Sequence, residues 1–359
     1  MAERPTVLIT VSGRIPNDLD HDIAAGRRPR ADYRCIAERL DAAVVDEQVA
    51  LDACGRVGSI VRRLGVGPLL AWYAFRNRRR YDVVLTDGEQ VGIPLAALTR
   101  VLPRHRSRHV MIVHILSVPK KEWLMRLGRL ASLVDDYIVY CTPQAEVVHE
   151  RLGVDSARIH LTPFMVDTTF FRPAAGTPAT PTDLPIVVSA GLERRDYPTM
   201  MDAVDGLDVD VVIAAASPWS KRADSSSGRE IPPNVRIERL DLAALRDLYA
   251  ESTMVVMPLE DVDFQAGITT ILEAMAMGRP VVCSRTSGQT DTIVDGETGV
   301  YVSPADPAAL RREMTALLAD EERADRLGRA ARRWAEDHAS IERYADRLAD
   351  IVLDAYRRR

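Results

Sequence analysis

Short apolar runs rich in Val, Ile and Leu alternate with longer amphipathic segments along most of the chain. Such runs are typical of strands buried on both faces of a parallel sheet, and the segments between them carry apolar residues at helical spacing. This alternation predicts an α/β protein whose parallel sheets are covered by helices on both faces. The predicted strands are residues 6–12, 43–46, 82–86, 109–115, 137–141, 158–162, 186–190, 209–214, 235–238, 254–257 and 281–283.

A change of composition divides these strands into two series. Residues 174–185 are rich in Pro, Ala and Thr, which is the composition of a linker. We therefore predict two doubly wound, Rossmann-like domains, at residues 1–173 and 174–333. The predicted helices include residues 35–40, 58–79, 91–101, 242–249 and much of the tail from residue 307, and residues 218–233 are predicted to form a polar loop.

Composition excludes several classes of protein. Of the 359 residues, 47% are hydrophobic and 28% are charged, as in ordinary soluble proteins, and the net charge of −5 argues against a nucleic-acid binder. No apolar run is long enough to cross a membrane, and the N-terminus does not resemble a signal peptide. We expect a cytoplasmic protein, because its scattered cysteines are typical of buried thiols rather than disulfides or metal ligands: Cys35, Cys54, Cys141 and Cys283.

Residues 264–284 (FQAGITTILEAMAMGRPVVCS) predict a loop, a short helix and a buried strand. The hydroxyl of Thr269 or Thr270 suits a cap at the helix start, and Gly278 suits the left-handed conformation after the last turn. Backbone N–H groups at such a helix start form a natural seat for a phosphate. Glu273 has two possible roles: a capping box with Thr270, or an acceptor of hydrogen bonds from the hydroxyls of a sugar.

The same stretch resembles the nucleotide-sugar site of the retaining glycosyltransferases of family four. The family signature is two glutamates separated by seven residues, followed by Ala-Met-Ala, one variable residue, Gly, a second variable residue and Pro-Val-Val. Residues 273–282 (EAMAMGRPVV) match it, whereas Gln265 replaces the first glutamate. The resemblance extends downstream through residues 286–291 and 295–299 to residues 304–307.

The resemblance implies the GT-B architecture, in which two Rossmann-like domains face each other across a cleft. The N-terminal domain is expected to bind the acceptor, the C-terminal domain the nucleotide sugar, and a last helix at about residues 334–359 to cross back to the N-terminal domain. It further implies metal-independent transfer of a sugar from a nucleotide diphosphate sugar to an acceptor hydroxyl, with retention of configuration. No other cofactor is expected. UDP is the expected nucleotide from its frequency in the family, GDP remains open, and the acceptor can be a natural product, a lipid or a glycan.

Two arginines are candidates for holding the donor diphosphate. In the family, the strand matching residues 186–190 is followed by Gly-Arg and later by Lys, but here Leu192 replaces the arginine and no lysine follows. Arg194 and Arg195 are the available substitutes, because a guanidinium fork matches phosphate oxygens. Arg195 is favoured, and the alternative for either is a surface ion pair with Glu193 or Asp196.

In the first domain, candidate residues follow the predicted strands, where parallel sheets bind ligands. Gly13 follows the first strand and allows close approach of a ligand or forms an ordinary turn, and Glu89 could hold an acceptor hydroxyl or cap a helix starting near Val91. His114 ends a predicted strand, where a lone histidine is commonly a core residue, but the family often has a histidine at this strand end near the donor sugar. The complete expected site comprises catalytic residues His114, Arg195, Gln265 and Glu273, donor-binding residues Gly13, Arg194, Gly267, Ile268, Thr269 and Thr270, acceptor-binding Glu89, and no metal.

Several alternatives remain open. Asp261-x-Asp263 has the letters of a metal-binding motif on a different topology. The amphipathic residues 119–133 could lie on an anionic membrane or form an ordinary surface helix. A nucleotide-sugar epimerase of the same fold and an inactive nucleotide-sugar-binding partner are alternatives to a transferase. The oligomeric state is open.

Overall fold

A computed structural model describes residues 4–102, 106–173, 184–214 and 230–358 of the chain. The predicted linker, apart from residues 184 and 185, and most of the predicted loop 218–233 lie outside these residues. The chain folds into two compact units. Unit 1 contains the described residues of Met1–Asp20, Ala31–Thr162 and Glu342–Arg359, and unit 2 contains those of His21–Arg30 and Pro163–Ile341.

Unit 1 is built on a six-stranded parallel sheet with the order β2-β1-β3-β4-β5-β6. Its central strands are fully buried because they are almost wholly apolar, and helices cover the sheet. The strands are β1 (Val7–Thr10), β2 (Ala43–Val45), β3 (Val83–Thr86), β4 (Arg108–Val113), β5 (Asp136–Val139) and β6 (Ile159–Leu161). The helices of unit 1 are α2 (Asp32–Leu40), α3 (Glu47–Arg62), α4 (Val66–Arg76), α5 (Glu89–Val101), α6 (Pro119–Leu127) and α7 (Thr142–Glu146), and α1 (Leu19–Ala24) precedes them, with His21–Ala24 in unit 2.

Unit 2 is built on a second six-stranded parallel sheet, with the order β12-β11-β10-β7-β8-β9. Counted from its own first strand, this is the 3-2-1-4-5-6 order of the dinucleotide-binding fold. The strands are β7 (Ile186–Ala190), β8 (Asp210–Ala214), β9 (Val235–Glu238), β10 (Met254–Met257), β11 (Val281–Ser284) and β12 (Val300–Val302). The helices are α8 (Tyr197–Val204), α9 (Leu242–Glu251), α10 (Ile268–Ala276), α11 (Pro307–Ala319) and α12 (Glu321–Trp334), followed by α13 (Ile341–Arg357), which lies in unit 1 from Glu342 onward.

The predicted fold class is confirmed, and most predicted strands lie within a few residues of the observed ones. The single helix predicted at residues 58–79 is wrong: α3 ends at Arg62 and α4 begins at Val66, because Gly65 has a φ of 130° that no helix accommodates. Strand β12 was not predicted, since its three residues give too short a pattern. All four cysteines are buried thiols outside any disulfide of the described residues, as predicted.

Candidate functional site

The switch point of the unit 2 sheet lies between β7 and β10, where the connections leave in opposite directions. The loop after β7 and the loop after β10 are joined there, because the backbone of Arg195 pairs with Leu259 and the Asp196 amide donates to the Pro258 carbonyl. The start of α10 follows the second of these loops. The fold thus brings Arg195, in the loop after β7, and the first turn of α10 to one edge of the sheet.

Helix α10 begins with Gly267 at its N-cap, in the left-handed conformation at φ 79°. The predicted hydroxyl cap from Thr269 or Thr270 is wrong, because the helix starts earlier: Thr270 is in the first turn and its hydroxyl donates to the Ala190 carbonyl at 3.5 Å. With a glycine at the N-cap, no capping side chain of that residue bonds the first N–H groups of the helix, which include that of Ile268.

Arg195 lies beside this helix start and is only 6% exposed. Its Nε donates to the Ala190 carbonyl at 2.8 Å and its Nη1 to the Glu193 carbonyl at 2.7 Å. A methyl group on Gly191 would come within 2.6 Å of Nη2, and one on Gly267 within 3.3 Å of Nη1. Burial lowers the pKa of Arg195 from its usual range. The glycines therefore make room for a guanidinium held in one orientation.

Arg194 has a different environment. Its backbone is left-handed at φ 57°, and its Nη1 forms an ion pair with Glu260 at 3.0 Å. Arg194 therefore forms the kind of ion pair that was predicted as the alternative to phosphate binding. Its nearer partner is Glu260, and the predicted partner Glu193 lies at 4.0 Å. Of the two arginines, Arg195 is the one placed beside the start of α10.

Glu273 is 6% exposed on α10, and the Tyr249 hydroxyl on α9 donates to its Oε2 at 3.1 Å. Burial raises the pKa of Glu273 to about 8, although the Tyr249 hydrogen bond and the charge of Arg195 act to lower it. A capping box with Thr270 is wrong, since Gly267 is the N-cap and Glu273 lies in the second turn. Sequence analysis missed Tyr249, because a tyrosine in an amphipathic helix gives no signal of a polar role.

The side chain of Gln265 lies in the loop before α10. Its Nε2 donates to the Thr292 hydroxyl at 2.9 Å, and its Oε1 is buried without a partner among the residues that the structure describes. Gln289, which is fully buried, has the same arrangement: Nε2 donates to the Ala266 carbonyl at 2.9 Å and Oε1 has no partner in the described ranges. Both amide groups border the loop that leads into α10.

The acidic residues of the same loop have protein partners. Asp261 accepts hydrogen bonds from the amide and the hydroxyl of Ser287, and Glu260 pairs with Arg194. Within the described part of the chain, no three His, Cys, Asp or Glu side chains are grouped to share a metal ion. The side chains of Asp261 and Asp263, which have the spacing of a metal-binding motif, are therefore not part of such a group.

Unit 1 has its own switch point between β1 and β3, and its strand ends are acidic. Asp87 accepts hydrogen bonds from the Ser12 amide and hydroxyl and from the Thr10 hydroxyl, which ties it to the turn before Gly13. Burial raises the pKa of Asp87, although the Ser12 and Thr10 hydrogen bonds act to lower it. Asp87 thus connects the two strand ends at which Gly13 and Glu89 were predicted to act.

Glu89 begins α5 and is 4% exposed. It accepts from the His114 amide at 3.0 Å and forms an ion pair with Lys121 Nζ at 2.7 Å. Burial acts to raise the pKa of Glu89, but the His114 and Lys121 interactions outweigh it and hold the pKa below its ordinary value. Glu89 does not cap α5, because Gly88 occupies the N-cap. It is a charged, oriented carboxylate.

His114 follows β4 and is exposed. Its Nε2 lies 2.9 Å from the Asp87 carbonyl oxygen, and its ring centre lies 5.7 Å from that of Tyr140. The Tyr140 and Tyr344 hydroxyls are 2.6 Å apart. Asp32, whose pKa burial raises, interacts electrostatically with His114. Sequence analysis missed Asp32 and both tyrosines, because they come from segments remote in sequence.

The amphipathic stretch predicted at residues 119–133 contains α6 and a short 3₁₀ turn at Leu130–Leu133. Three large apolar side chains of α6 are exposed, namely Trp123, Leu124 and Leu127, with Trp123 at 59%. Lys120 is exposed on the same helix. Among the described helices, none combines the length and the apolar character that crossing a bilayer requires.

Comparisons with known proteins concern the family and the fold. Residues 195–320 match the family model of the Glycosyl transferases group 1. A GDP-mannose-dependent alpha-(1-6)-phosphatidylinositol monomannoside mannosyltransferase of Mycolicibacterium smegmatis is 41% identical over 300 residues, which cover 80% of this chain and 72% of that protein. A D-inositol 3-phosphate glycosyltransferase of Xylanimonas cellulosilytica is 27% identical over 250 residues, which cover 64% of this chain and 58% of the relative. The chain thus spans less than two thirds of the length of the second relative.

Among solved structures, Anabaena Alr3699/HepE in complex with UDP-glucose resembles this chain with a TM-score of 0.70. The match covers 98% of this chain and 100% of that protein at 13% sequence identity. At so low an identity the likeness concerns the fold alone.

Proposed function

Because the chain belongs to the group 1 glycosyl transferases, a family of enzymes with the GT-B fold, we propose that it moves a hexose from a nucleotide diphosphate sugar to an acceptor hydroxyl. The observation that carries the proposal is the meeting of Arg195, the open start of α10 and Glu273 at the switch point of the unit 2 sheet.

The leaving diphosphate is stabilised by fixed positive groups. The Arg195 guanidinium and the N–H groups that follow Gly267 point charge and dipoles at one place before reaction, so little reorganisation is needed as negative charge develops on the phosphates. Glu273, in the next turn of α10, accepts hydrogen bonds from the ribose hydroxyls. Gln265, half-buried in the loop that leads into α10, contacts the transferred sugar.

Unit 1 binds the acceptor. A charged Glu89 and the neighbouring Asp87 offer acceptor oxygens for hydroxyl hydrogens, and the exposed His114 lies beside both. The names of both relatives contain an inositol phosphate, so an inositol-bearing phosphate is the first acceptor class to test. The exposed apolar residues of α6, with Lys120, suit an acceptor presented on an anionic membrane.

The donor follows from the same comparison. The 41% identical relative is GDP-mannose-dependent, so GDP-mannose takes precedence over the UDP-sugars that were expected from family frequency. Retention of configuration and independence of metal are further parts of the proposal, which the anomer of the product and the activity in EDTA will test.

The experiment is a transfer assay with radiolabelled GDP-mannose, UDP-glucose and UDP-N-acetylglucosamine, each with free inositol phosphates or with vesicles containing phosphatidylinositol. We expect label in the inositol-bearing product with one donor, with and without EDTA. Arg195→Lys is expected to abolish most transfer, whereas Arg194→Lys keeps it. Labelled epimer without acceptor would favour the epimerase alternative, and nucleotide binding without any transfer would favour the inactive partner.

A further inference from the structure

A cavity of about 690 Å³ lies within unit 2, away from the start of α10. Met277, which lines it, follows the C-terminal end of α10, whereas the donor residues lie at the N-terminal end. At about 1.5 Å per residue, the nine residues of α10 separate these ends by about 13 Å. The cavity is therefore not the proposed donor site.

Four arginines line this cavity, against two carboxylates, in a chain of net charge −5. Arg30 holds Asp167 in a two-pronged ion pair, with Nη2 to Oδ1 at 2.7 Å and Nε to Oδ2 at 3.1 Å. Burial acts to raise the pKa of Asp167, but the Arg30 and Thr169 hydrogen bonds outweigh it and lower the pKa to about 2. Arg246 pairs with Asp247 at 2.8 Å. Each carboxylate is thus neutralised by one arginine.

The other two arginines, Arg28 and Arg172, supply the excess charge. Neither forms an ion pair with any carboxylate in the part of the chain that the structure describes. Arg28 is half-buried and Arg172 is exposed. Both side chains line the same cavity, so an anion bound there is attracted by each guanidinium.

The rest of the lining is apolar and ordered. The Arg246 guanidinium lies 4.8 Å from the centre of the Phe170 ring and its Nη1 donates to the Gly26 carbonyl at 3.1 Å. Ile23, Ala250 and Met277 contribute aliphatic surface. The cavity therefore combines a fixed apolar wall with two unneutralised cations, which is the pattern of a pocket for an organic anion.

We propose that this cavity binds a small phosphate-bearing metabolite, whose phosphate groups are held by Arg28 and Arg172 and whose remainder packs against Phe170 and Met277. Guanidinium groups form charge-assisted, frequently two-pronged hydrogen bonds with phosphate oxygens, so phosphate is the anion that this pair matches best. The site lies outside the donor crevice and serves a second ligand.

The test is calorimetric titration of the full chain with inorganic pyrophosphate at low ionic strength. Arg28→Ala/Arg172→Ala should remove one binding site, because its affinity falls at least about tenfold, or about 1.4 kcal/mol. Arg312→Ala/Arg333→Ala is the matched control, since it removes the same charge from exposed positions of unit 2 and should leave the number of sites unchanged.

Binding at the donor crevice is distinguished by Arg195→Lys, which should weaken the donor site and leave the Arg28–Arg172 site intact, even if the proposed transfer reaction is wrong. Crystals soaked in tungstate, an analogue of phosphate, should show an anomalous peak between Arg28 and Arg172. A number of pyrophosphate sites that is the same in Arg28→Ala/Arg172→Ala and in the wild type would overturn the proposal, as would tungstate-soaked crystals without that peak.

Discussion

The two units use the same kind of scaffold and place different groups at their switch points. Each has six parallel strands and a switch point where two loops meet. In unit 1 these loops carry Asp87 and Glu89, which are tied down by hydrogen bonds and by Lys121. In unit 2 they carry Arg195 and the uncapped start of α10.

This difference separates what the fold supplies from what individual residues supply. The parallel sheet brings loop residues to one edge in either unit, whatever their charge. The charge then decides the ligand: carboxylates accept hydrogen bonds from hydroxyls, whereas a guanidinium and free N–H groups bind phosphate.

The largest effect is expected from replacing Arg195, the arginine at the unit 2 switch point. Arg195→Lys keeps a charge but loses the fork that Ala190 and Glu193 orient, so kcat/KM should fall by about 10²–10³-fold, as for loss of one preorganised oxyanion donor. Steady-state kinetics with the active donor measure this. Arg194→Lys, which changes only the pair with Glu260, should stay within about threefold, or about 0.7 kcal/mol. Equal losses in both variants would contradict the assignment of Arg195.

The next largest effect concerns the buried carboxyl of unit 2 and its pH dependence. Burial raises the pKa of Glu273 from 4.5 to about 8, so the folded chain keeps a proton that the unfolded chain releases between these pH values. The contribution of Glu273 to stability is therefore complete below pH 4.5 and is lost as the pH rises through about 8. The free energy of unfolding of the wild type, relative to Glu273→Gln, should fall by at most about 1.4 kcal/mol per pH unit in that interval.

Urea unfolding at several pH values checks this prediction. The Gln side chain does not titrate, so the variant shows the pH dependence that all the other groups give to the free energy of unfolding. Glu89→Gln in unit 1 is the contrasting case. Since the pKa of Glu89 is lowered, its contribution to stability is present above its ordinary pKa and lost in acid. A wild-type curve parallel to that of Glu273→Gln would show that Glu273 has an ordinary pKa.

A smaller loss of stability is expected when a closely packed glycine is substituted in either unit. A methyl group on Gly67 would lie 2.1 Å from the Gln90 carbonyl oxygen in unit 1, and one on Gly328 would lie 2.1 Å from the Gly278 carbonyl oxygen in unit 2. Gly67→Ala and Gly328→Ala should each cost about 1–3 kcal/mol of stability, because rigid backbone must shift. Thermal unfolding measures the loss. Arg56→Ala and Thr315→Ala, exposed helical controls in units 1 and 2, should change little.

The smallest effect is expected at the position where the sequence departs from the family signature. Gln265→Glu puts a charged carboxylate in place of the side-chain amide, whose Nε2 donates to the Thr292 hydroxyl at 2.9 Å. We expect a change of severalfold in rate or in the preferred sugar, about 1 kcal/mol. A panel of donors with one nucleotide and different sugars provides the readout. Identical kinetics with every donor would argue against contact between Gln265 and the sugar.

The sequence predicted which loops carry the candidate residues, but not every helix boundary or side-chain partner. Gly278 and Pro280 mark the end of α10 correctly, because a left-handed glycine and a proline are local signals, and Gly278 has the expected φ of 68°. The start of the helix was predicted within one turn of its position, but the N-cap is Gly267 rather than a threonine. The local sequence pattern does not show which of these residues occupies the N-cap.

Contacts between remote segments were beyond sequence reasoning. Tyr249 reaches Glu273 from another helix, and Asp32 reaches the neighbourhood of His114 from the start of α2. The placement of His21–Arg30 in unit 2, where Arg30 pairs with Asp167, is of the same kind. The choice between Arg194 and Arg195 also required the fold, since adjacent residues in sequence point to different partners.

The most direct test of the central claim is thermal stabilisation by nucleoside diphosphates and their sugars, measured with and without EDTA. At about one hundred times its dissociation constant, the true donor nucleotide should add about 2.7 kcal/mol to the stability of the wild type and of Arg194→Lys. The same nucleotide should give a much smaller shift with Arg195→Lys. No shift with any nucleotide, or an undiminished shift with Arg195→Lys, would contradict the assignment of the unit 2 switch point as the donor site.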